Sequence, residues 1–130
     1  MVAVSDRGPE GRSVLIVEDD FDVRDALSQL LEFEGYVVAG AANGQEAIDH
    51  LRSTPRPAAI LLDLMMPVMD GYQFRSELMR YPTLASIPVI IISADASVAE
   101  KAARMGATAY LRKPIEVDAL LHTLERFCLP

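Results

Sequence analysis

Cysteine is nearly absent from this chain: one residue, Cys128, among 130. No internal disulfide can form, so a reducing compartment is the default setting and the core must hold without cross-links. Cys128 has no partner motif and reads as a small packing residue. Tryptophan is missing, and aromatic residues make up 6% of the chain. Of the two histidines, His50 and His122, neither stands beside groups that would make it catalytic. No apolar run approaches the roughly 18 residues of a membrane span. The opening MVAVSDRGPEGRS lacks the apolar core of a signal peptide. Positive charge is scarce as well, with 12 basic against 19 acidic residues and a net charge of −7. That balance argues against a basic nucleic-acid face and leaves a metal ion or a cationic partner open.

What is present suffices for one well-packed domain. Hydrophobic residues make up 51% of a one-domain length. Residues 1–12, polar with two glycines and a proline, read as a loose N-terminal tail, and residues 13–128 as the domain. SVLIV, Ser13–Val17, is short, apolar and β-branched, as a strand buried on both faces would be. In the segment after it, Val23, Leu27, Leu30 and Leu31 share one helix face, and Gly35 follows as a stop. YVVAGA reads as a second strand. Asn43 caps a second helix carrying Ala47, Ile48 and Leu51 inward. AAILLD, Ala58–Asp63, is a third buried strand. A helix from about Gly71 to Arg80 turns Phe74 and Leu78 inward, with Asp70 shaping its start. Ile87–Ser93 is a fourth strand. A short helix with Val98, Ala102 and Met105 inward closes at Gly106. TAYLRKP is a fifth strand, ended by Pro114. The last helix faces Val117, Leu120, Leu121, Leu124 and Phe127 inward. Continuous apolar strands alternating with amphipathic helices predict an α/β protein, a parallel sheet covered on both faces.

In such sheets the functional groups gather at the carboxyl ends of the strands, near the switch point in strand order. Glu18, Asp19 and Asp20 follow the first strand, Asp63 ends the third, Ser93 the fourth, and Lys113 with Pro114 the fifth. Clustered carboxylates repel unless a cation neutralises them, and a hard divalent ion suits oxygen ligands. Lysine and a hydroxyl suit phosphate oxygens. Carboxylates, metal, lysine and hydroxyl are together the parts of phosphoryl transfer, with aspartate as a possible nucleophile. Asp63, alone among apolar neighbours, looks like the acceptor. Asp20 reads foremost as a helix cap. Tyr110 is open between core and function.

Four stretches, VLIVEDD, ILLDLMMPVMDG, VIIISA and GATAYLRKP, in this order and spacing, resemble the receiver domain of bacterial two-component response regulators. The likeness covers about residues 12 to 128. It implies a flavodoxin-like doubly wound sheet of five strands, order 2-1-3-4-5, with five helices. It also implies that Asp63 is the phosphoacceptor, charged by a sensor histidine kinase or a phosphotransfer protein. Glu18 and Asp19 match the acidic pair that positions magnesium or manganese, together with Asp63 and the backbone carbonyl of Met65. Ser93 matches the switch hydroxyl, Lys113 the lysine that binds the phosphoryl group, and Tyr110 the aromatic that changes exposure on activation. Pro114 matches a proline often preceded by a cis peptide.

The resemblance further implies a cytoplasmic signalling domain rather than an enzyme. Output would pass through the face built by the fourth helix, fifth strand and fifth helix, with a phosphorylation-dependent homodimer as one outcome and no direct contact to nucleic acid or membrane. Four positions depart from the usual pattern or vary within it. Glu18 stands where aspartate is commoner, and Ile115 where phenylalanine is more usual. Met65 and Asp95 occupy variable positions that tune phosphoryl lifetime. An aspartate-nucleophile phosphatase shares this chemistry but usually carries a second aspartate two residues after the nucleophile, where Met65 stands. A degenerate receiver acting only as a binding module is disfavoured by the presence of Asp63, Ser93 and Lys113 together.

Overall fold

The β-branched and aliphatic runs form five strands, of which the three central ones bury side chains on both faces while the two edge strands are only partly covered. In the computed structural model, residues 12–65 and 69–128 are described. The strands are β1 (Ser13–Val17), β2 (Val37–Ala41), β3 (Ala59–Asp63), β4 (Val89–Ser93) and β5 (Ala109–Arg112). Five helices of eight residues or more separate and follow them: α1 (Phe21–Phe33), α2 (Gly44–Ser53), α3 (Gly71–Leu78), α4 (Val98–Met105) and α5 (Val117–Glu125). A further single turn, Pro82–Ala85, starts on a proline whose fixed φ suits a first helical position. The strands pair in parallel in the order β2-β1-β3-β4-β5, as the resemblance implied.

The two-residue period of the strands sorts the core into two layers. Ile60 and Leu62 of β3 point to the side of Ile48, Leu51, Phe74, Leu78, Val98 and Ala102. Ala59 and Leu61 point to the side of Leu27, Leu31, Leu120 and Leu124. Helices α2, α3 and α4 therefore cover one face, and α1 and α5 the other. Every residue of β3 and β4 is buried, which makes them the centre of the molecule.

The helix ends are set by local chemistry. The Asp20 side chain accepts from the amides of Asp22 and Val23, so its capping role is observed. Asn43 accepts from Glu46 N, and Asp70 forms a reciprocal capping box with Gln73. Gly35 and Gly106, both with positive φ, close α1 and α4 in the left-handed region that other residues avoid.

Several expectations shift. Tyr36 lies before β2 and is buried, and β4 and β5 are shorter at their ends than the apolar runs suggest. Val117, expected inward, is 45% exposed. Its angular position fits the buried stripe, but it is the first residue of α5, and the buried pair Leu120 and Leu124 lies further along the helix. Cys128 is buried, as a packing residue should be. The expected tail falls outside the described residues except at Arg12. There the guanidinium lies 4.5 Å from the Tyr36 ring centroid and donates to the carbonyls of Glu34 and Gly35. Among the described residues, no helix is long and apolar enough to cross a membrane.

Candidate functional site

Register places the strand ends at one level. Val17 pairs with Leu62, Asp63 with Ile92, and Ser93 with Arg112, so Glu18, Asp63, Ser93 and Lys113 emerge at the same carboxyl edge. The strand order reverses between β1 and β3, which opens a crevice there. Among the described residues only three polar side chains are buried, namely Glu18, Asp63 and Ser93, and all three lie on this edge. Burying a carboxylate is costly unless it is paired, so two of them side by side require an account.

Lys113 supplies part of that account. Its ammonium donates to Glu18 Oε1 at 2.9 Å and stands 3.7 Å from Asp63 Oδ2. Burial works against the lysine's charge. The hydrogen bond to Glu18 and the nearby charges of Asp63, Glu18 and Asp19 outweigh it and raise the lysine above its ordinary pKa. Glu18 also accepts from the Asp20 amide at 3.2 Å, and Asp63 Oδ1 from the Met65 amide at 3.3 Å. Asp19 is exposed, yet carboxylate oxygens of Glu18, Asp19 and Asp63 lie within 4.8 Å of one another. One ammonium faces three acidic groups. An all-oxygen donor set with surplus negative charge can hold a hard divalent cation.

Glycine shapes the wall of the crevice. A Cβ on Gly71 would sit 2.9 Å from the Asp63 carbonyl oxygen and 2.8 Å from Leu64 Cα. The start of α3 therefore rests directly on the end of β3, and the Gly71 amide donates to Leu64 O at 2.9 Å. The bond before Pro114 is cis, as the resemblance implied.

Not every expected residue joins the cluster. Because Asp63 pairs with Ile92, Ser93 leaves β4 on the opposite face of the sheet. Its hydroxyl accepts from the Asp95 amide at 3.1 Å, while its carbonyl accepts from the Lys113 amide at 2.8 Å. The Met65 side chain is exposed, and Tyr110 lies on the edge strand β5 at 45% exposure, away from the carboxylates and outside the core.

Two elements escaped sequence reasoning. Arg24, on α1, donates to the Glu18 carbonyl at 2.6 Å and runs past Gly40 of β2, where a Cβ would meet its Cδ at 3.0 Å. Gly40 inside an otherwise apolar strand was the available signal. The second is the loop after β4. There the hydrogen bond from Lys101, then those from the Ser97 amide and hydroxyl, hold the Asp95 carboxyl well below the usual range. The bond to Asp95 raises Lys101 in turn, against its burial.

The topology and this acidic edge define a doubly wound α/β protein whose polar groups gather at the switch point. The family model of the response regulator receiver domain matches residues 14–125, and the chain belongs to that family, the receiver domain of response regulators in two-component signalling. Response regulator MprA of Mycolicibacterium vanbaalenii is 40% identical over 110 residues, which cover 83% of this chain and 46% of that protein. The chain thus spans about half the length of the curated relatives it matches. Among solved structures, chemotaxis response regulator CheY4 of Vibrio cholerae aligns with a TM-score of 0.81 at 32% identity, covering 89% of this chain and 98% of that one. The receiver domain of a Pseudomonas aeruginosa sensor histidine kinase, solved with a magnesium ion in its active-site cleft, aligns with a TM-score of 0.82 at 29% identity, covering 90% and 97%.

Proposed function

We propose that this receiver takes a phosphoryl group onto Asp63 from a histidine of a sensor kinase or phosphotransfer protein. The observation that carries this reading is the pairing of buried Asp63 with Lys113 inside the acidic cluster at the switch point. Glu18, Asp19, Asp63 and the backbone carbonyl of Met65 would hold a magnesium or manganese ion, which would supply positive charge to offset that of the phosphoryl oxygens. Asp63 attacks phosphorus in line with the departing imidazole. The P–N bond breaks as the P–O bond to Asp63 forms, and the leaving nitrogen keeps or takes up a proton. Lys113 moves its ammonium from Glu18 and Asp63 onto a phosphoryl oxygen, and the Ser93 hydroxyl donates to another. Water later attacks phosphorus and returns the carboxylate and inorganic phosphate.

The chain is a signalling domain that promotes its own phosphorylation and dephosphorylation and turns over no external substrate. The unit spans residues 13–128 and works in the cytoplasm, where its phosphodonor is made. The new charge biases the face of α4, β5 and α5, which carries exposed Tyr110 and meets a downstream protein or a second copy. The test is incubation with magnesium and a small phosphodonor, followed by intact mass. One added phosphoryl mass, stable in acid and labile in base, is expected for the wild type and not for Asp63→Asn. An adduct that persists in that variant overturns the assignment.

A further inference from the structure

Asp95 is the crossing point of the loop between β4 and α4. Its amide donates to Ser93 Oγ at 3.1 Å, and its carbonyl accepts from Val98 N at 3.2 Å. One carboxylate oxygen accepts from both the amide and the hydroxyl of Ser97 at 2.8 Å, and the other from Lys101 Nζ on α4. The same residue that is tied to α4 through its side chain thus holds the Ser93 hydroxyl through its backbone. That hydroxyl lies on the strand face away from Asp63.

We propose that Lys101 is a positioning residue for phosphoryl transfer: its ion pair with Asp95 latches the loop to α4 and keeps Ser93 in its resting orientation. The inference rests on the reading of Asp63 as phosphoacceptor and Ser93 as a donor to the phosphoryl group. To reach a group on Asp63, the Ser93 hydroxyl must swing across the end of β4 and give up the Asp95 amide. The amide follows the loop, and the loop is tied to α4 by the Asp95 carboxylate. A ligand that selects the turned serine binds with an apparent affinity reduced by the fraction of molecules in that state. Weakening the latch raises that fraction. Both members of the pair are about one-third exposed, at 29% and 33%, so the effect is that of a partly solvated ion pair, about 1.4- to 5-fold.

The test uses the whole chain with magnesium and beryllofluoride, a phosphoryl mimic, with binding read by fluorine NMR and folding by thermal melting. Lys101→Met keeps the packing stem and removes the charge. It should bind the mimic about 1.4- to 5-fold more tightly than wild type. Lys101→Arg should restore the wild-type value. Asp95→Asn should tighten binding similarly, and in that background Lys101→Met should add nothing. Unchanged or weaker binding by Lys101→Met overturns the latch, as does an effect that persists undiminished beside Asp95→Asn. Should Lys101→Met aggregate, Lys101→Gln serves the same comparison. A wild type that ignores the mimic, or an Asp63→Asn variant that binds it equally, overturns the underlying reading and the latch together, and so is told apart from failure of the latch alone.

Discussion

Lys113 carries more of the site than its single charge suggests. Among the described residues it is the one ammonium within reach of both buried carboxylates, and it is itself only partly exposed. Lys113→Met leaves Glu18, 1% exposed, without that partner. Stranding a buried charge is among the larger single-residue penalties, and the remaining access to water reduces it here to about 1–3 kcal/mol. We expect urea melts without divalent ions to show that loss at pH 7 and at pH 9. The pH dependence follows from the raised pKa of Lys113. The stability it contributes is complete below the unfolded-state value of about 10.4 and is lost as pH rises through the higher folded value. The gap between variant and wild type should therefore close only above about pH 10.4. A gap that closes near neutrality would mean that another group is titrating.

At the scale of elements, the site depends on how closely α3 approaches the end of β3. Gly71→Ala poses two opposed effects. Lower backbone entropy in the unfolded chain favours alanine by about 0.4–1 kcal/mol. A Cβ at 2.8 Å from Leu64 Cα and 2.9 Å from Asp63 O must displace backbone, and overpacking of that kind costs about 1–3 kcal/mol. The steric effect is larger, so the melting temperature should fall, and phosphorylation by a small donor should slow because the displaced backbone carries Asp63. A variant that is stabilised and phosphorylated at the wild-type rate would show that this contact does not position the acceptor. The elements differ in how readily sequence reveals them. The caps Asp20, Asn43 and Asp70 act on amides two or three residues away and are legible from local pattern. Val117 was misplaced because a helical period gives the angle of a residue and not its position along the axis.

For the whole molecule, the proposed cation site at the acidic edge predicts a linkage between folding and cation binding. A cation that binds only the folded chain stabilises it by about 2.7 kcal/mol when free ion stands near one hundred times its Kd. Magnesium should therefore raise the melting temperature in a concentration-dependent way, and chelation should reverse it. Asp19→Asn, an exposed change that removes one of the three clustered carboxylates, should shift this response to higher magnesium. An unchanged magnesium response in Asp19→Asn would remove that residue from the ion's ligand set.

Sequence alone determined the alternation of strands and helices, because short continuous apolar runs and a 3.6-residue apolar period are both local patterns along the chain. It also determined which residues stand at the strand ends, since an apolar run stops where its buried strand stops. Asp63, Glu18 and Ser93 were legible on that ground, and Lys113 from Pro114, which ends the fifth strand. Which of them meet was decided only by tertiary structure. Parallel pairing brought Lys113 to Glu18 across 95 positions of chain. The same pairing set Ser93 on the face opposite Asp63 and left its hydroxyl to Asp95. Arg24 reaching the Glu18 carbonyl and Lys101 reaching Asp95 depend on how each helix is docked on the sheet. Contacts of that kind arise from packing between elements, and no period along the chain encodes them.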